Sequence, residues 1–127
     1  GDPMAVSTTT ITSGSSSKLI INTDTDESAD VGNGASCVIQ QVEIDNTNNA
    51  TTKTYLRLFN LSSTAGLSIG SAEPNMLLVA AGGTTATYVF PQGVTFNAGV
   101  VMAAVQEAGT AGSTGPSAAV TTRILLA

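Results

Sequence analysis

The sequence predicts an all-β fold, an antiparallel β-sandwich of about seven or eight strands, of the jelly-roll or immunoglobulin-like kind. Its apolar runs are short, rich in Val, Ile, Thr and aromatic residues, and bounded by clusters of Gly, Asn, Ser or Pro. No segment carries a sustained helical stripe, and no fixed period of the kind that marks solenoids or propellers is present. Strands at this spacing with no helices between them favour two packed antiparallel sheets, and both topologies remain open on the sequence.

The chain has 127 residues, enough for one domain with its own core. Gly1, Asp2 and Pro3 precede Met4 and read as a cloning remnant. Residues 4–17 are polar and read as a flexible or partner-ordered arm, leaving 18–127 as a single β-sandwich domain. Residues 18–22 form a first short strand, followed by an acidic connection over 24–34. Residues 36–45 form a long strand. Strict alternation puts Val38, Val42 and Ile44 on one face with Gln40, and Gln41, Glu43 and Asp45 on the other, unless a bulge intervenes near Gln40.

After a polar connection over 46–52, residues 53–60 form a strand with Leu56 and Leu58 on one face and Tyr55, Arg57 and Phe59 on the other. A longer loop, 62–74, has a small apolar anchor in Leu67 and Ile69. Strands are expected over 75–81, ended by Gly82-Gly83; over 84–90, stopped by Pro91-Gln92-Gly93; and over 94–96 and 100–105, divided by Asn97-Ala98-Gly99. A low-complexity loop over 107–117 leads to a last strand, 118–126, with Val120, Thr122, Ile124 and Leu126 on one side.

Composition excludes several function classes. There is no histidine, so a Ser-His-Asp hydrolase is ruled out, and no Gly-x-Ser-x-Gly elbow occurs. The glycines between Gly109 and Gly115 lack the Gly-Lys-Ser/Thr ending of a phosphate loop. A lone cysteine, Cys37, permits neither a disulfide framework nor a Cys/His metal cluster, and its apolar surroundings predict a buried, inert thiol. Net charge is −5 with four cations, Lys18, Lys53, Arg57 and Arg123, which provides no basic stripe for nucleic acid. No run approaches the roughly 18 apolar residues of a membrane span, and no basic, apolar export signal follows Met4. Without that signal, the glycosylation-type triplets at Asn49 and Asn60 carry no function.

The weak candidates for a metal site are Asp24, Asp26 and Asp30, whose carboxylates suit calcium, although their spacing departs from the helix-loop-helix calcium pattern. Glu43, Asp45, Glu73 and Glu107 read as surface charges, since nothing in their spacing indicates a shared cleft of the glycosidase type. No catalytic residue and no cofactor is expected. Several strands are apolar on both faces, which suggests an added layer or a neighbouring subunit. Tyr55 and Phe59 flanking Arg57 are accordingly the interface candidates, because aromatic and arginine side chains are enriched where subunits meet, with core packing under a second sheet as the equal alternative.

The runs Cys37-Val38-Ile39-Gln40-Gln41-Val42-Glu43-Ile44-Asp45-Asn46, Tyr55-Leu56-Arg57-Leu58-Phe59, Phe90-Pro91-Gln92-Gly93-Val94-Thr95-Phe96 and Ala104-Val105-Gln106-Glu107-Ala108-Gly109-Thr110-Ala111-Gly112, with Val120-Thr121-Thr122-Arg123 at the end, resemble small virion proteins of tailed bacteriophages. The resemblance spans about residues 36–126 and consists of strand and turn patterns. It implies a β-sandwich located on the virion, decorating the capsid or attached to the tail in several copies, with no catalytic residue to carry over. The partners it implies are the chain itself, with a trimer favoured, and other virion proteins, the arm anchoring to a neighbour by strand addition. The alternative from another class is an adhesin-like module presenting the 46–52 and 107–117 loops and Tyr55 to a host-surface glycan.

Overall fold

A computed structural model describes residues 6–10 and 17–127. Its strands are β1 (Val6–Thr10), β2 (Lys18–Thr25), β3 (Asp30–Asn33), β4 (Cys37–Asp45), β5 (Thr54–Phe59), β6 (Met76–Ala80), β7 (Thr85–Phe96), β8 (Val100–Val105) and β9 (Val120–Leu126). They form a five-stranded sheet, β1-β2-β9-β4-β7, and a four-stranded sheet, β3-β8-β5-β6, and every pairing is antiparallel. The expected β-sandwich is borne out.

The pairings nest: β5 with β6, β4 with β7, β3 with β8 and β2 with β9. This is one long antiparallel ribbon, turned back at its centre and rolled so that alternate pairs fall in opposite sheets. The resulting sheet orders, 2-9-4-7 and 3-8-5-6, are those of a jelly roll, which decides the topology left open by the sequence. β1 stands outside the nest, as an extra strand on the free edge of β2.

Two expectations change here. Of the polar arm, Val6–Thr10 is a strand of the sheet, while the remnant at 1–3 and the rest of the arm up to residue 16 lie outside the described residues. The acidic connection contains β3, whose Asp30-Val31-Gly32-Asn33 has too little apolar character to announce a strand. β3 forms because β8 is buried along its whole length and needs a partner on that side.

Register irregularities mark where alternation breaks. In β4 the bulge falls at Gln40, between Ile39 and Gln41, so that Cys37, Ile39, Val42 and Ile44 face inward while Val38 turns outward. On the partner strand, Val89 pairs with Gln41 and Val94 with Ile39, so Phe90-Pro91-Gln92-Gly93 bow out of the ladder within one continuous strand, where the sequence predicted two. Pro91 is tolerated because β7 is an edge strand. Gly93 is required: its φ is +74°, and a Cβ there would lie 2.4 Å from Val38 Cγ1.

The core between the sheets contains Ile20, Ile39, Val42, Ile44, Leu56, Leu58, Val100, Met102, Val120, Ile124 and Leu126, the last strand alternating as expected. Leu56 and Leu58 face this core, and the opposite face of β5 and β8 carries a second cluster of Phe59, Val101 and Ala103. Ala29, Leu67, Ile69 and Ala72 pack onto that cluster, so the 60–75 loop roofs the outer face of the four-stranded sheet. The apolar surplus on β5 and β8 is thus covered by the chain's own loop, and the predicted anchor at Leu67 and Ile69 is what covers it.

Candidate functional site

The three interface candidates share the outer face of β5, but they do not present a free surface. Arg57 and Phe59 are buried beneath the roof, and Tyr55 is half-buried. The burial of Arg57 and Phe59 follows the core-packing reading that their pattern also allowed, and Tyr55 stays partly accessible.

Arg57 has a structural task. Its Nη2 donates to the carbonyls of Glu107 (3.1 Å) and Gly109 (2.6 Å), and its Nη1 to that of Thr110 (3.4 Å). A buried guanidinium thus ties down loop carbonyls that no strand pairs. The loop is drawn tight from its other side, where Thr114 N–H donates to Glu107 Oε1 at 3.0 Å. Hydrogen bonding from the Thr114 side chain and its backbone N–H, with the nearby Arg57 charge, holds the Glu107 carboxyl below its ordinary range.

The acidic residues do not converge. Asp24 lies on β2, Asp26 in the following turn, where its Oδ1 accepts from Ser28 N–H at 2.9 Å, and Asp30 on β3, where its Oδ2 accepts from Asn22 Nδ2 at 3.0 Å. Among the described residues no group of three metal-binding side chains is gathered. The strand pairing separates them, and Asp30 turns inward as the polar partner of the buried Asn22.

The other carboxylates are divided between the two outer faces. Glu43 and Asp45 lie on β4, whereas Glu73 and Glu107 lie in the loops over the opposite sheet. Glu43 Oε1 pairs with Arg123 Nη1 at 2.7 Å. Asp45 accepts from the Thr47 hydroxyl (2.6 Å) and N–H (3.1 Å), which lowers its pKa. Cys37 is buried, and desolvation raises its thiol against a hydrogen bond from Asn33.

Two features were not legible in the sequence. One is a cleft of about 540 Å³ between the turn after β2 and the 60–75 loop, with Ala29, Leu67 and Ile69 on its apolar side and Glu27, Ser28, Ser68 and Ser113 supplying polar groups. It combines residues far apart in the chain, and only the roof brings them together.

The other is the outer face of the five-stranded sheet. Thr9, Leu19, Leu125, Gln41 and Val89 line up in one cross-strand row, and Ser7, Ile21, Arg123, Glu43 and Thr87 in the next. Leu19, Ile21, Leu125 and Val89 belong to neither buried cluster, and Val89 is 61% exposed. Leu19 and Ile21 fall within the expected first strand and Leu125 within the last, but alternation alone does not tell which face of a strand the rest of the chain leaves uncovered. The Arg123–Glu43 pair makes the middle of this face electrically balanced, with apolar groups on either side. No protein-family model matches this sequence, and no curated protein sequence matches it.

Proposed function

We propose that this chain is a non-enzymatic structural protein of a bacteriophage particle, which associates with copies of itself and with other virion proteins to decorate or reinforce capsid or tail. The observation that carries the reading is the asymmetry of the sandwich. The outer face of β5 and β8 is roofed by the chain's own loops, with Val31 and Leu77 exposed on the flanking strands, while the other outer face is a sheet surface where half-buried Leu19, Ile21 and Leu125 and exposed Val89 lie outside the buried clusters. Apolar surface in such an arrangement is what a subunit contact consumes. The absence of histidine and the separation of the carboxylates onto opposite faces support a role without catalysis. The virion assignment rests on the resemblance of the strand and turn patterns to those of small phage virion proteins, and the jelly roll, a fold common in viral shells, agrees with it.

The test is light scattering of the purified chain with co-sedimentation on assembled particles. Wild type is expected to be oligomeric and to pellet with particles, and Val89→Asp together with Leu125→Asp to reduce both while leaving the thermal transition cooperative. A monomeric mass combined with no co-sedimentation sinks the proposal.

A second reading is supported by the cleft near Glu27, where a carboxylate and several hydroxyls beside an apolar wall suit a glycan. Binding on a glycan array that is lost in Glu27→Gln would favour it, and an array without hits removes it.

A further inference from the structure

We propose that β1 is an exchangeable strand: Val6–Thr10 of one copy completes the five-stranded sheet of a second copy by pairing with that copy's β2. The proposal rests on the self-association inferred above and names the segment and the edge through which it is made.

The roll is complete without β1. Each of the eight strands from β2 to β9 has its partner within the nest, and β1 is added afterwards to the edge of β2. Its attachment is almost wholly a main-chain ladder, from Val6 opposite Asn22 to Thr10 opposite Lys18. Among the described side chains of β1 only Val6 reaches the core, where it is partly buried; Ser7, Thr8 and Thr9 are exposed. A ladder of this kind is indifferent to which molecule supplies the strand, and any copy offers the same β2 edge and the same recess for Val6.

The connection does not enforce pairing within one chain. Seven residues separate Thr10 from Lys18, more than the two to five that let a hairpin turn dictate its own register. Fully extended, seven residues can span roughly 24 Å, about five inter-strand spacings. β1 is also placed where exchange strengthens the proposed contact. Ser7 and Thr9 stand in the same cross-strand rows as Ile21 and Leu19 on the bare outer face, so a donated strand extends that face from one copy to the next. A neighbour docked there lies beside the edge that receives the strand, and reciprocal exchange costs no contact that the single chain makes.

Thr9 lies directly opposite Leu19, so a cysteine at each position reports which chain supplies the strand. Full-length Thr9→Cys and Leu19→Cys proteins are mixed in urea, refolded together, oxidised mildly and run on a non-reducing gel, with wild type as the control for Cys37. A two-chain band in the mixture that neither variant gives alone is expected, and the double variant Thr9→Cys/Leu19→Cys is expected to run as linked chains. A double variant that closes its bond internally and runs as a single chain, with no mixed band, overturns the exchange. Light scattering of wild type separates the two failures: an oligomer without cross-linking refutes the exchange alone, and a monomer refutes the self-association as well.

Discussion

The hydroxyl of Tyr88 serves both main-chain groups of Val79, accepting from its N–H at 3.2 Å and donating to its C=O at 2.6 Å. Tyr88 lies on β7 and Val79 on β6, which are edge strands of opposite sheets, so one phenol laces the two sheets together along that side. It also occupies the polar groups that an edge strand would otherwise offer to another molecule. Tyr88→Phe should lower stability by about 1–2 kcal/mol in urea unfolding, because two half-buried main-chain groups lose their partner. Faster hydrogen exchange at the Val79 amide with little change at Leu78 would tie the loss to this contact. Unchanged exchange at Val79 would refute it.

Arg57 is fully buried with its guanidinium held by carbonyls, and among the described residues its Nε has no hydrogen-bond partner. Such a group tolerates no half-measure. Arg57→Met is expected to cost about 3 kcal/mol, since the carbonyls of Glu107, Gly109 and Thr110 lose a charged donor. Arg57→Lys should recover only part of this, because an ammonium cannot reproduce the planar fork. Limited proteolysis should locate the first cut of Arg57→Met in residues 107–117.

Asn46 is the hub of a second buried polar cluster. Its Oδ1 accepts from Thr54 Oγ1 (2.7 Å) and Asn49 Nδ2 (3.0 Å), and its Nδ2 donates to the carbonyls of Thr52 (2.9 Å) and Ala81 (3.2 Å). It therefore joins the β4–β5 loop to the β6–β7 turn. Asn46→Ala should cost about 3 kcal/mol by chemical denaturation, as several buried groups are orphaned together. Asn48→Ala, at an exposed neighbour that donates once to the Ala119 carbonyl, should stay within about 0.5 kcal/mol.

Two carboxyls titrate below their ordinary range, Asp45 through Thr47 and Glu107 through Thr114. A group whose pKa falls on folding contributes stability above its unfolded pKa and loses it as pH falls through the folded one. The stabilising effect of both should therefore be full at pH 7 and fade below about pH 4. Asp45→Asn and Glu107→Gln should each lower the urea midpoint at neutral pH and converge on wild type near pH 2. A gap that persists in acid would show that packing, not charge, is responsible.

Strand positions were legible wherever one face was strictly apolar, as in Val120, Thr122, Ile124 and Leu126 of β9 or Leu56 and Leu58 of β5. The bulge at Gln40 was legible as an option because plain alternation would have buried a glutamine. β3 was not, since its residues serve a neighbour: Asp30 is the polar partner of the buried Asn22. The outer face of β5 failed for a similar reason. Tyr55, Arg57 and Phe59 carry the composition of an interface, and Arg57 and Phe59 do form one, with the chain's own 107–110 and 67–72 segments. Periodicity detects an apolar face but does not say which molecule supplies its cover.

Lys18 pairs with Leu126, so the roll is entered and left at neighbouring points of one sheet. Topologically the eight-stranded body is a ring that has been cut at that point. A chain rejoined there by a short linker and reopened within the exposed residues 61–66 would retain every ladder of the nest. The same geometry means that both connections of the roll to any further polypeptide emerge side by side, so the body can hang from a larger assembly by a single pivot.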